Sequence, residues 1–358
     1  MGLLRKNEKT LGLDISDLVL RAVQLKNHGR STSFVAYNQI DLPSGIIKNG
    51  EILDPRALRD AIKKLISHPS YGRFTAKQVV ASLPEAKSFF KVIEIPQVDN
   101  QQIDETIKWE ITQHIPLSPD EMYMDWKALS TGTGGKLKIV ICAIPKTIVD
   151  SYTAGLEDAG LRPIALIIES IAIAHNLISQ KLENTTSALI LDIGLNRTSF
   201  LVYEGGAVRF SASSKRVSGQ AMTNLISQRL KLTDKQAERA KRMVGLDPTR
   251  GKAAIPKILD TYINKATQQI DEILKFYSAH HPGSKKIDQI IIIGGGANLR
   301  NLTDILSKKI NKNIILGDPW SRFKNLKNTS IIPKNQHLSH STVLGLASMC
   351  SSDIFENK

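Results

Sequence analysis

Cysteine is scarce: the 358 residues hold two, Cys142 and Cys350, at no metal or redox spacing. A disulfide framework and a CxxC centre are excluded, and a reduced cytosol is the expected compartment. No apolar run reaches the ~18 residues of a membrane span. The first residues, Met1-Gly-Leu-Leu-Arg-Lys-Asn-Glu8, lack a signal-peptide core, and Lys6 stands where a myristoylation signal wants Ser or Thr. The last five, Ile354-Phe-Glu-Asn-Lys358, are too few and too polar to anchor a chain. No Ser/His/Asp, HExxH or CxxC constellation occurs, and His280-His281 has no partner at ligand spacing. Aromatics are 5% of residues and do not interleave with basic ones.

Positive charge is abundant, with 48 Lys and Arg against 34 Asp and Glu and a formal net charge of +14. The lysines are spread as pairs (Lys63-Lys64, Lys285-Lys286, Lys308-Lys309), without an arginine-rich arm or a helix-turn-helix. Nucleic acid is therefore not the expected partner. A surface working near anionic lipid is a better use of the charge. At 41% apolar and 23% charged residues the chain is globular and long enough for two domains.

The organising stretch is 187–213. An apolar run, Ala188-Leu-Ile-Leu191, leads into Asp192 and Gly194, and two β-rich runs follow, separated by Gly205-Gly206. This places one carboxylate and a bare backbone at the mouth of a sheet. Glycine lets amides close on a phosphate while an aspartate holds hydrated Mg²⁺ nearby. One such turn is weak evidence, but Leu11-Gly-Leu-Asp-Ile-Ser16, with Asp14 near its end, also precedes two β-rich runs. Two strand–Asp–hairpin units predict two similar halves facing a shared cleft. Later, the apolar run 287–293 enters Gly294-Gly295-Gly296, which allows close approach of a flat ligand or phosphate and fits neither Walker A nor Rossmann spacing. Glu238 and Lys241, three apart on an expected helix, form a surface ion pair or contact a ribose and base.

Between the two units, strands are expected at 78–83, 88–95 and 136–144. Helices are expected from Asp99 to Pro116, with Ile103, Ile107, Ile111 and Ile115 as a buried stripe, and at 147–159, with Trp109 and Trp126 as core residues. The expected division is a first half at 1–77, an insert at 78–160 and a linking strand and helix at 161–186. A second half at 187–337 and a closing helix and tail at 338–358 complete it. Strands and helices alternate throughout, so the class is α/β with mixed sheets.

In this order of elements the chain resembles the actin-like ATPase superfamily. Ile107-Lys-Trp-Glu110, His114-Ile-Pro-Leu117 and Asp125-Trp126 look like the insert of the PilM family of type IV pilus assembly proteins, which is close to FtsA, and Val343-Leu-Gly-Leu-Ala347 resembles that family's closing helix. The resemblance covers nearly all of 11–349. It implies ATP and Mg²⁺ between two halves, with phosphate contacts at Asp14, Ser16 and Asp17 and at Asp192, Gly194, Asn196 and Thr198. Ribose and base contacts fall at Glu238 and Lys241, the adenine loop at Gly294, Gly295 and Gly296, and Mg²⁺ at Asp14 and Asp192 through water. Glu169 falls where such ATPases orient water, although a helix-starting glutamate is an equal reading. The implied partner is the N-terminal cytosolic peptide of a PilN-like inner-membrane protein, with the chain peripheral to the membrane through it. Contact with the pilus motor ATPase and self-association stay open. The rivals are a cycling ATPase, an FtsA-like filament-forming adaptor and a phosphotransferase. The family usually has Asp-Ile-Gly where this chain has Asp14-Ile15-Ser16, so the Ser16 hydroxyl either donates to phosphate or its side chain crowds it.

Overall fold

A computed structural model describes residues 9–29, 31–96, 100–112, 117–131, 136–179, 182, 185–281, 283–323, 325, 326 and 329–350, with the backbone alone at 100–102, 130 and 131. The chain opens with β1 (Thr10–Ile15), β2 (Val19–Asn27) and β3 (Thr32–Asp41) as an antiparallel meander. A small hairpin, β4 (Ile47–Lys48) and β5 (Glu51–Ile52), precedes α1 (Pro55–Ser67). Asp54 caps that helix by accepting the Ala57 amide, and Pro55 fills its first turn, where no donor is needed. The edge strand β6 (Tyr71–Gly72) follows, then β7 (Gln78–Leu83), buried at every position and parallel to β1.

A separate antiparallel sheet comes next, from β8 (Phe89–Ile95), β9 (Met122–Thr131) and β10 (Leu137–Pro145), with α2 (Asn100–Ile111) across it. Ile103, Ile107 and Ile111 of α2 are buried against Ile93, Ile95, Ile139 and Ile141. Asp99, His114, Ile115 and Pro116 lie outside the described residues. Trp109 is not in this core: it is 66% exposed, on the opposite side of α2 from the isoleucine stripe. Trp126 is half-buried against the core and donates its indole N–H to Asp104 at 3.0 Å.

The chain then returns through α3 (Lys146–Asp158), β11 (Arg162–Ile168) and α4 (Glu169–Leu177). The six-stranded sheet runs β11-β7-β1-β2-β3-β6. Ile148, Tyr152 and Leu156 of α3 join its core with Leu58, Ile62 and Leu65 of α1. The expected insert of 78–160 is therefore too wide at both ends. Its first strand and last helix belong to the first half, because an all-buried strand needs neighbours on both sides, and β1 and β11 supply them.

The second half has β12 (Ser187–Ile193), β13 (Thr198–Glu204) and β14 (Ala207–Ser214), then α5 (Gly219–Leu230), α6 (Asp234–Val244) and α7 (Ala254–His280). β15 (Gln289–Ile293), α8 (Leu302–Ile310) and β16 (Asn313–Leu316) complete a five-stranded sheet of order β14-β13-β12-β15-β16. The expected half of 187–337 ends too late. Trp320, Phe323 and Ile332 pack with Val23, Phe34 and Tyr37 of the first sheet. The closing helix α9 (Ser341–Met349) then lies against β1 and α4, so it fastens the start of the chain to the link between the halves. Among the described residues no helix is long and apolar enough to cross a membrane.

Candidate functional site

The two hairpins carry their aspartates at matching places. In the first, β1 and β2 set Asp14 directly opposite Arg21, and Asp14 Oδ2 lies 3.0 Å from Arg21 Nη1. The Ser82 hydroxyl of β7 lies 3.4 Å from Asp14 Oδ1 as a donor. In the second, β12 and β13 set Asp192 opposite Ser199, and no hydrogen bond reaches the Asp192 carboxylate among the described residues. Burial raises both carboxyls. Arg21 opposes the rise at Asp14, whereas Asp192 is pushed up to about 6, with Asp14 adding repulsion. The Asp14 charge of one half thus bears on the Asp192 carboxyl of the other.

Glu169, the first residue of α4, joins them. Its Oε2 lies 3.3 Å from Arg197 Nη2 and accepts the Glu85 amide at 3.5 Å. Glu85, just past β7, accepts the Ser170 amide at 3.2 Å and has its other oxygen buried without a partner among the described residues. Burial drives the Glu169 carboxyl up to about 8 against the pull of Arg197, and Asp14, Glu85 and Asp192 add to it. Arg197 in turn is held charged by Glu169, with Asp17, Glu85 and Asp192 adding to the same pull.

The remaining expected residues divide. Asp17 accepts the amides of Asn49 (2.8 Å) and Gly50 (2.9 Å), so it braces the β4–β5 turn. The Ser16 hydroxyl donates to the Val19 carbonyl at 2.9 Å, within its own turn. The Thr198 hydroxyl is fully buried and without a partner among the described residues. Gly194 donates to the Arg197 carbonyl at 2.9 Å and accepts the Gly219 amide at 2.9 Å, which ties the loop to the start of α5. Asn196 is exposed and, with Asp17, lines a cleft of about 610 Å³. Ser44, Lys48 and Asn49 form its first wall, and Lys215, Ser218, Gln220 and Asn224 its second.

Lys241 is buried under α5. It donates to the Gly219 carbonyl and the Thr223 hydroxyl at 2.9 Å each and to Glu238 at 2.6 Å. Burial works to raise the Glu238 carboxyl, but donors from Lys241, Thr223 and Arg242 outweigh it and hold the group at about 2. The pair is structural at its Lys241 end and open at its Glu238 end, where a groove of about 420 Å³ is lined by Lys235, Glu238, Arg239, Arg242 and Met243. Gly294 has φ +86°, and a Cβ there would stand 2.3 Å from Asp192 Oδ1, so only glycine lets β15 turn beside that carboxylate. Gly296 packs on Ile193, while Gly295 faces open space.

Arg21, Glu85 and Arg197 escaped the sequence reading. Arg21 had a local signal, a basic residue on the returning strand of a hairpin. Arg197 lies inside the loop already singled out. Glu85 had none, because its approach to α4 depends on β7 entering the first sheet.

Two sheets built around matched Asp hairpins, joined by α4 and facing one cleft, define an actin-like ATPase fold. MreB5 of Spiroplasma citri bound to ADP is similar at 14% identity with a TM-score of 0.59, covering 99% of this chain and 100% of that one. The ethanolamine utilization protein EutJ from Carboxydothermus hydrogenoformans is similar at 16% identity, TM-score 0.56, over 97% and 91%. More narrowly, the chain belongs to the family of type IV pilus assembly protein PilM, whose family model matches residues 12–349. A chain of the solved PilM-PilN type IV pilus biogenesis complex is similar at 22% identity, with a TM-score of 0.80 over 96% of this chain and 99% of that one.

Proposed function

We propose that this chain is an ATP-binding scaffold of the type IV pilus inner-membrane platform, whose output is peptide binding rather than turnover. The matching places of Asp14 and Asp192 in the two hairpins, with the charge of Asp14 raising the Asp192 carboxyl, are the observation that carries the reading. Support also comes from MreB5, solved with ADP and with AMPPNP, and from the relative solved in a PilM-PilN complex.

The residues fit a nucleotide better than a caged metal. Among the described residues no three His, Cys, Asp or Glu converge on one point. Mg²⁺ would be held by Asp192 through water and by phosphate oxygens, the usual manner for this ion. Bound with ATP, it would offset the charge of the phosphates. Asp14, already matched by Arg21, shapes the field rather than ligating. Gly194 fixes the phosphate loop, Gly295 leaves room for a base, and Glu238 faces the ribose side. Glu169 is engaged by Arg197 in the empty cleft, and hydrolysis is expected to be slow or absent.

The partner is the N-terminal peptide of a PilN-like inner-membrane protein, taken up as an extended segment in the crevice between the β8-β10-β9 sheet and the first half. That partner brings the chain to the inner face of the cytoplasmic membrane. Calorimetry with ATP and Mg²⁺ tests the nucleotide part. ATP binds in preference to GTP, and Asp192→Ala weakens it by about tenfold or more, the size of one charge-assisted contact. Ser16→Gly changes affinity by less than about threefold, because the serine hydroxyl is turned onto Val19. No heat of binding, with unfolding temperature indifferent to ATP, contradicts the reading.

A further inference from the structure

Arg197 closes the loop after β12, and its backbone and side chain serve opposite sides of the cleft. Its carbonyl accepts the Gly194 amide, while the carbonyls of Gly194 and Leu195 accept the amides of Gly219 and Gln220 at 2.9 and 2.8 Å. The loop backbone is thereby fixed to α5 in the second half. The side chain reaches the other way, to Glu169, and both members of the pair are largely buried, at 19% and 14% exposure. Through the Glu85 amide on Glu169 and the Ser170 amide on Glu85, that contact continues to the end of β7 in the first sheet. One guanidinium therefore ties the phosphate loop of one half to the other half.

The charges around it decide what this tie does. Arg21 is matched by Asp14, its direct neighbour across the hairpin. Among the described residues Glu169 is the carboxylate within ion-pair distance of Arg197, while the charges of Asp17, Glu85 and Asp192 also favour the guanidinium, so its partner can be exchanged without leaving it uncompensated. A buried guanidinium needs an anion at all times, because an uncompensated buried charge is costly. A phosphate offers more charge than a carboxylate and two oxygens that match the planar fork.

We propose that Arg197 is the latch of the cleft, held by Glu169 when the cleft is empty and taken over by the phosphates of a bound nucleoside di- or triphosphate. The exchange releases the tie between the halves and turns Glu169 loose beside the phosphates. The proposal rests on the nucleotide-binding reading above. It makes Arg197 a phosphate-binding and positioning residue and Glu169 its competitor, and this fixes an unusual sign. Removing the Glu169 charge tightens nucleotide binding, whereas loss of a merely structural pair weakens it or leaves it unchanged.

The test is calorimetric titration of ATP and of ADP with Mg²⁺ into the full chain at pH 8.5, above the value of about 8 to which burial pushes the Glu169 carboxyl. Glu169→Gln binds on the order of tenfold more tightly than the natural chain, and Arg197→Ala on the order of tenfold more weakly. Arg197→Lys, which keeps the charge without the fork, falls between. In Arg197→Ala the Glu169→Gln change brings no gain, since the gain requires the guanidinium. Heat unfolding without nucleotide checks that each variant is folded, and Arg197→Lys carries the comparison if the alanine variant is not. If the natural chain binds ATP and Glu169→Gln binds no more tightly, the latch is wrong and the nucleotide reading survives. If neither binds, both fall.

Discussion

Arg21 stands directly across the first hairpin from Asp14, with 3.0 Å between guanidinium and carboxylate, the Asp14 side chain buried and that of Arg21 largely so. Removing one member leaves the other as a buried charge. Arg21→Gln costs about 3 kcal/mol or more of stability, and adding Asp14→Asn recovers a large part, so the double variant is more stable than the sum of the single ones. The exposed pair Arg59–Asp60 is the control, and Arg59→Gln changes stability by less than about 1 kcal/mol. Denaturant unfolding of the four variants measures this coupling.

The closing helix imposes a second, steric constraint. Gly345 of α9 meets α4 so closely that a Cβ would stand 2.1 Å from the Ala172 carbonyl oxygen, a backbone atom that cannot swing away. Gly345→Ala therefore separates α9 from α4 and lowers stability by about 2–3 kcal/mol. Gly155, inside α3, has only the Leu58 Cδ2 methyl at 3.5 Å from the same construction. Gly155→Ala is neutral or stabilising by up to about 1 kcal/mol, because alanine favours the helix. Paired thermal unfolding curves give the two opposite signs.

Acidity follows from Glu169. Its carboxyl sits at about 8 in the folded chain, above the ordinary glutamate value of 4.5. The unfolded chain gives up this proton at lower pH than the folded chain does. The stability it confers is full below about pH 4.5 and is lost as pH rises through about 8. Glu169→Gln, which stays neutral, thus gains on the natural chain by roughly 1–3 kcal/mol between pH 5 and pH 8.5. His340 works with the opposite sign: burial pushes it down to about 3, so its contribution is lost as pH falls below the ordinary histidine value of 6.5. Unfolding temperatures across this range separate the two groups.

The Asp hairpins were legible because their signals are local: an apolar run, an acid near its end, and a glycine turn. The cap at Asp54-Pro55 and the isoleucine stripe of α2 were legible for the same reason. Trp109 could have been read correctly, since the spacing of Ile103, Ile107 and Ile111 already places it on the other side of the helix. β9 went unnoticed although Met122, Met124 and Trp126 alternate inward, because acids and a lysine stand between and beside them. What pattern could not supply is partnership over distance. Gln78–Leu83 reads as a strand anywhere, but its place beside β1 is settled by packing 60 or more residues away, as in the pairing of Leu13 with Ala81. The contacts of Glu85 and Arg197 with Glu169 depend on the same assembly.

The most direct test of the scaffold reading is titration of the full chain with a synthetic peptide of the first ten or so residues of the proposed PilN-like partner, about the length of one added strand. Saturable binding is expected, with loss of the chain from cell membranes when that peptide is deleted from the partner. No binding in the test tube, and retention on membranes without the peptide through competition by anionic lipid or DNA, would show that the net charge of +14 directs this protein and that it is not a peptide-binding scaffold.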